Sequence, residues 1–145
     1  MAEAWWQLGE IEKAIPWYRQ ALDHDPNFLP SARNLGVALS RSGQVKEARE
    51  FLEQARQKFP DDAAIWNNLG EACLLAEELG CAAQALQTAL QLDPELPDAL
   101  TNMAKADQRQ GQMNGAEARL REAIRVAPDF AVAHNNLGNL LSAQG

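Results

Sequence analysis

Cysteine is scarce in this chain, aromatic residues make up only 6% of it, and basic residues are outnumbered. No apolar run approaches the ~20 residues that a bilayer-spanning helix needs. The opening Met-Ala-Glu-Ala-Trp-Trp has neither the basic n-region nor the apolar h-region of a secretory signal. Two cysteines, Cys73 and Cys81, make neither a disulfide framework nor a zinc-ligand set, so a reducing, cytoplasmic setting is the expectation. There are 13 Lys and Arg against 20 Asp and Glu, a formal net charge of −7. A phosphate-backbone binder carries a basic stripe, and none is present, which disfavours nucleic acid. The acidic excess mildly favours basic segments among partners.

What the chain does have is helix formers. Ala and Leu dominate, and 46% hydrophobic with 23% charged residues is ordinary for a folded protein, so an all-α fold is predicted. Proline punctuates the sequence at Pro26, Pro60, Pro94 and Pro128, each 34 residues after the last. In that register Ala14, Ala48, Ala82 and Ala116 fall in one column, and Ala21, Ala55, Ala89 and Ala123 in another. Leu-Gly steps end at Gly36, Gly70 and Gly138, with Met103-Ala104 in the remaining unit. Such small columns let paired helices approach closely. Larger columns fill the space between them: Ile11, Val45, Leu79 and Met113, then Tyr18, Leu52, Leu86 and Leu120. Gly9, Gly43 and Gly111 occupy the turn inside each unit, where positive φ costs glycine nothing. Glu77 holds that column once, with Gly80 three residues on, and that turn is expected to deviate.

A unit of this length with a large residue, Leu-Gly, Ala, a bulky residue, Ala and Pro resembles the tetratricopeptide repeat; Trp66, Leu69, Gly70, Ala82, Leu86, Ala89 and Pro94 carry the match. The resemblance implies a right-handed superhelical solenoid of antiparallel helix pairs. The frame divides residues 1–145 into a partial unit 1–28, units 29–62, 63–96 and 97–130, and a first helix at 131–145. Helices are expected near 2–8, 11–24, 30–42, 45–58, 63–76, 79–92, 97–110, 113–126 and 131–143, with Pro16 bending the second slightly. Trp5 and Trp6 at one end, and Leu137, Leu140 and Leu141 at the other, read as cuts through a longer array. Head-to-tail association of copies through those ends is the alternative.

Little invites a catalytic reading. No Cys-X-X-Cys, His-Glu-X-X-His, Gly-X-Ser-X-Gly or glycine-rich phosphate loop occurs. His24 and His134 lie in different units, and His134 shares a packing column with Trp66 and Leu100, so a partly buried helix histidine is favoured over a metal ligand. Cys73 shares the column of Leu39 and Leu141 and reads as a small buried hydrophobe, with Cys81 more exposed near a turn. Trp66 reads as core, Trp5 and Trp17 as packing residues, and Trp6 as groove-lining or end-covering. No enzyme activity, metal or cofactor is expected.

In such a stack the first helix of each unit lines the concave face. Its packing side leaves a second stripe toward the groove, because residues three and four apart share a face. That stripe holds Arg33, Asn34, Val37 and Arg41; Asn67, Asn68, Glu71 and Leu75; Asp98, Thr101, Asn102, Lys105 and Arg109; and Asn135, Asn136 and Asn139. Asn34, Asn68, Asn102 and Asn136 recur at one unit position, a ladder whose amides suit a peptide main chain. The alternative is hydrogen bonding from helix to helix. The ladder resembles that of the superhelical repeat domain of the nucleocytoplasmic O-linked N-acetylglucosamine transferases, which implies that these asparagines grip a peptide backbone. A clamp for a C-terminal carboxylate, as in chaperone-binding relatives, fails: one register supplies Asp98 and Asn102, the other Val132 and Asn136, where cations are required. The function expected is a protein- or peptide-binding scaffold. The alternatives are the recognition arm of a larger enzyme, such as a glycosyltransferase or sulfotransferase, and a self-associating structural element.

Overall fold

The computed structural model describes residues 1–145 as nine helices with no strand. They are α1 (Ala2–Gln7), α2 (Ile11–His24), α3 (Leu29–Arg41), α4 (Val45–Lys58), α5 (Ala63–Leu75), α6 (Leu79–Leu92), α7 (Pro97–Arg109), α8 (Met113–Val126) and α9 (Ala131–Ala143). Every expected helix is present, its ends within one residue of expectation, and α2 runs unbroken through Pro16. None is long and apolar enough to cross a membrane.

The small columns do what their size allows. Ala14, Ala48, Ala82 and Ala116 are fully buried, as are Leu52, Leu86 and Leu120. A Cβ built on Gly36 would lie 2.5 Å from Leu52 Cδ2, and one on Gly70 2.5 Å from Leu86 Cγ. Glycine is required there because the second helix of each pair drives a leucine against the first. The larger column at the start of the second helices is less enclosed: Ile11, Val45 and Leu79 are half-buried and Met113 is exposed.

Each hairpin is closed by the same turn. Gly9, Gly43 and Gly111 have φ of 76°, 80° and 77°. The following N–H reaches back to the helix: Glu10 to Trp5 O, Gln44 to Leu39 O, and Gln112 to Asp107 O, at 2.8–3.0 Å. This is the Schellman closure. The turn after α5 does not deviate as expected. Glu77 takes φ 60° and Glu78 N donates to Cys73 O at 2.9 Å, while Gly80 sits inside α6. The packing of the helix pair dictates the turn, and the glutamate accepts a left-handed conformation that costs an L-residue about 1–2 kcal/mol.

The two cysteines correct the sequence reading more sharply. Cys73 is buried as expected, but it is joined to Cys81 by a disulfide across this turn, Cα–Cα 5.8 Å. The positions so linked face each other in other hairpins too. Lys13 Nζ lies 4.8 Å from the Trp5 ring centroid, and a Cβ on Gly115 would meet Asp107 Oδ2 at 3.3 Å. Three side chains also lie further out than expected: Trp66 is half-buried, Trp17 exposed, and His134 exposed. Trp66 Nε1 donates to Pro60 O at 2.7 Å, and His134 Nε2 makes the equivalent contact with Pro128 O at 2.7 Å.

Candidate functional site

The curvature follows from which helices touch. Among first helices, the backbones of α3 and α5, α5 and α7, and α7 and α9 pack closely, whereas no two of α2, α4, α6 and α8 approach closely backbone to backbone. The long side chain of Arg19 is needed to bring α2 to Glu47 of α4, at 2.5 Å. First helices therefore crowd along the inner side and second helices fan apart outside. The inner surface of α3, α5, α7 and α9 is one continuous wall.

On that wall the asparagines are largely occupied. Asn68 is 7% exposed and its Nδ2 donates to Arg33 O at 3.2 Å. Asn102 is 5% exposed; its Nδ2 donates to Asn67 Oδ1 at 3.0 Å, and its Oδ1 accepts from Lys105 Nζ at 3.1 Å. Asn67 is buried beside it. Asn34 is half-buried and lies against Tyr18, whose hydroxyl pKa is raised by burial and by Glu3 and lowered by Asn34. Asn136 is half-buried with its Nδ2 buried and unpartnered. The structure thus brings Asn68 and Asn102 into helix-to-helix braces.

The side chains that reach solvent are different ones. Arg33 is exposed and holds Asp62 through Nε to Oδ1 at 3.1 Å and through Nη2 to Oδ2, an ion pair that raises the guanidinium pKa. Asp62 also caps α5 by accepting from Ile65 N at 2.9 Å, so one carboxylate ties α3 to the start of α5. Arg41 is exposed above the Trp6 ring, 5.5 Å from its centroid. Arg109 is exposed and Nη1 donates to Leu74 O at 2.5 Å. Leu75 and Asp98, with Asn135 and Asn139, are exposed as well, while Glu71 and Lys105 are half-buried. Thr101 turns inward and donates to Asp98 O.

One pair went unnoticed in the sequence. Asp107, buried in the column that elsewhere holds Leu39 and Cys73, accepts from Arg119 Nε of α8 at 2.7 Å. An acid in an apolar column is its signal, since a buried charge requires a partner. Glu78 lies beside the two sulfurs but pairs with Arg49 at 3.3 Å. With the sulfurs bonded to each other, no thiolate is offered to a metal.

Tetratricopeptide architecture is what these hairpins, small columns and curved wall define. Residues 6–73 match the family model described as tetratricopeptide repeat, and residues 55–144 match the cilia and flagella-associated protein 70 middle TPR-like domain. The chain belongs to the tetratricopeptide repeat family. No curated protein is matched by sequence. Among solved structures it is similar to a thermophilic repeat protein of Thermus thermophilus, TM-score 0.83 and 22% identity over 97% of this chain and 77% of that one. It is also similar to YrrB, described as having an unusual peptide-binding site, at 0.69 and 21% over 99% and 74%. A third is the first such domain of Spaghetti (RPAP3) bound to HSP90 peptide SRMEEVD, at 0.71 and 16% over 78% and 90%. These likenesses establish the fold.

Proposed function

We propose that this chain is a non-catalytic scaffold that holds an extended protein segment along its concave wall. The observation that carries the reading is the division of labour on that wall. Buried amides of Asn68 and Asn102 lock adjacent first helices together, while Arg33, Arg41, Leu75, Arg109, Asn135 and Asn139 stay exposed along one continuous face. A wall rigidified from within presents its exposed groups already ordered, which lowers the entropic cost of binding. In this reading Asn68 and Asn102 of the ladder fix the spacing of α3, α5 and α7, Asn34 and Asn136 make no such brace, and Glu71 and Lys105 add adjustable charge. The descriptions of YrrB and of the HSP90-bound domain support a peptide as the partner.

The test is a nuclear magnetic resonance titration of isotope-labelled protein with peptides selected from a displayed library on the intact chain. Amide shifts are expected on α3, α5 and α7, around Val37, Glu71 and Leu75. Shifts confined to α2, α4, α6 and α8 would overturn the assignment.

A further inference from the structure

Resting on that concave reading, we infer that the wall selects an extended segment with an apolar residue flanked on both sides by acidic ones. Every Lys and Arg of the chain is ion-paired except Arg41, Lys58, Lys105 and Arg109. Three of these project from first helices. In a protein of net charge −7, with acids in excess, cations left without a carboxylate are conspicuous. Of the acids on α3, α5, α7 and α9, Asp107 is consumed by Arg119, leaving Glu71 and Asp98 against the three free cations. The wall escapes the acidic character of the rest of the molecule.

Two of these cations share a design. Arg41 ends α3 and Arg109 ends α7, and the residue in the same place on α5 is Leu75. Both guanidinium groups are held by the preceding first helix, Arg41 over Trp6 and Arg109 on the carbonyl of Leu74. Stacking leaves all the N–H groups of Arg41 free, and one bond leaves Arg109 most of its five donors. Each is thus a preordered fork for a carboxylate, where a lysine would be a mobile point charge. Two acids share the crevice beside Arg41: Glu10 is taken by Lys13, and Glu12 lies beyond ion-pair distance of the guanidinium. Between the forks, Leu75 is 49% exposed, the one large apolar side chain so exposed on α3, α5 and α7.

The spacing sets the ligand's register. Packed helix axes lie about 8–10 Å apart, and an extended chain advances about 3.3 Å per residue, so each first helix corresponds to about three residues. The matching segment therefore has an acid, an apolar residue three positions on, and a second acid three beyond that.

The probe is Gly-Ser-Glu-Ser-Ser-Leu-Ser-Ser-Glu-Ser-Gly, acetylated and amidated so that neither terminus carries charge, titrated into the isotope-labelled chain. Comparators carry Gln or Lys in place of both Glu. The Glu peptide is expected to shift the Arg41 and Arg109 Nε–H resonances and to bind about tenfold tighter than the Gln peptide for each carboxylate engaged, with the advantage shrinking in high salt. The Lys peptide is expected not to bind. Arg41→Gln with Arg109→Gln reduces the Glu peptide to the level of the Gln peptide, and Lys58→Gln changes nothing. Equal binding of the three peptides, or an unchanged double variant, overturns the inference. Should the Gln double variant lose its helical circular dichroism, Arg41→Lys with Arg109→Lys decides. Loss of at least half the binding upholds the forks, and undiminished binding overturns them. A library-selected peptide that still maps to α3, α5 and α7 of a folded double variant overturns this inference while the concave reading stands. Shifts confined to the second helices overturn both.

Discussion

Asn67-Asn68-Leu69-Gly70 in α5 and Asn135-Asn136-Leu137-Gly138 in α9 are the same four residues in helices of the same length. Their local structure is also the same, down to the bond that Trp66 and His134 each make to a proline carbonyl six residues back. Their fates differ. All four residues are buried in α5, whereas in α9 Asn135 is exposed and the other three are half-buried or exposed. The reason is the company each helix keeps: α5 packs on α3, α4, α6 and α7, and α9 on α7 and α8. In a solenoid, contacts run between neighbours, so an identical motif takes its energetic weight from what stacks on it.

The largest test of this contrast is the leucine. Leu69 is 2% exposed, and Leu69→Ala should cost about 3 kcal/mol, as core leucines do. Leu137→Ala should cost about 1 kcal/mol, because only part of its apolar surface is removed from water. Urea melts of the two variants measure both values, and equal losses would break the comparison. Next in size is the covalent tie that α5 has and α9 lacks. Reducing Cys73–Cys81, whose sequence separation is eight, should lower stability by about 2 kcal/mol through release of the closed loop. A thermal melt with and without reductant reads it, and Cys81→Ser should abolish the difference.

Much of the fold was legible because its determinants are periodic. Pro26, Pro60, Pro94 and Pro128 set the frame, and Ala14 with its counterparts marked the close approaches, so helix positions followed without knowledge of tertiary contacts. What escaped the reading depends on pairs of columns. Cys73 and Cys81 were weighed by number, but their bond follows from two positions that face each other across the turn, as Trp5 and Lys13 do. Asp107 and Arg119 escaped for the same reason. On the wall, helical periodicity placed Asn68 and Asn102 on the inner stripe but could not say that the preceding helix satisfies their amides. Periodicity gives a face; burial is decided by how closely the neighbouring first helix lies.

The glycines of the two motifs should respond with opposite signs. Alanine gains about 1 kcal/mol over glycine in a helix interior. At Gly138 nothing lies within 4 Å of an added Cβ, so Gly138→Ala should stabilise by up to about 1 kcal/mol. At Gly70 the same methyl meets Leu86 Cγ at 2.5 Å and Cδ2 at 2.7 Å. Leu86 is fully buried and its branch point cannot swing away without moving the helix. Overpacking of this kind costs about 1–3 kcal/mol, which exceeds the propensity gain, so Gly70→Ala should destabilise by about 1 kcal/mol. Midpoints of thermal unfolding moving in the same direction would refute the account.

The asparagines carry the smallest expected difference and bear most directly on the wall. Asn68 donates to Arg33 O, a carbonyl inside α3 that keeps its place in the helix ladder, so Asn68→Ala removes one inter-helix bond, a loss of about 1 kcal/mol. The Nδ2 of Asn136 is buried with no acceptor. Asn136→Ala therefore forfeits no bond and relieves an unpaired polar group, so stability should hold or rise by a few tenths of a kcal/mol. Amide exchange of α3 and α5 separates a brace from an idle side chain. If Asn68 holds the two helices together, its loss speeds exchange at their facing turns, while loss of Asn136 leaves α7 unchanged. Unaltered exchange in Asn68→Ala would mean that the ladder does not set the spacing of the wall, and that its amides are free to serve a bound peptide.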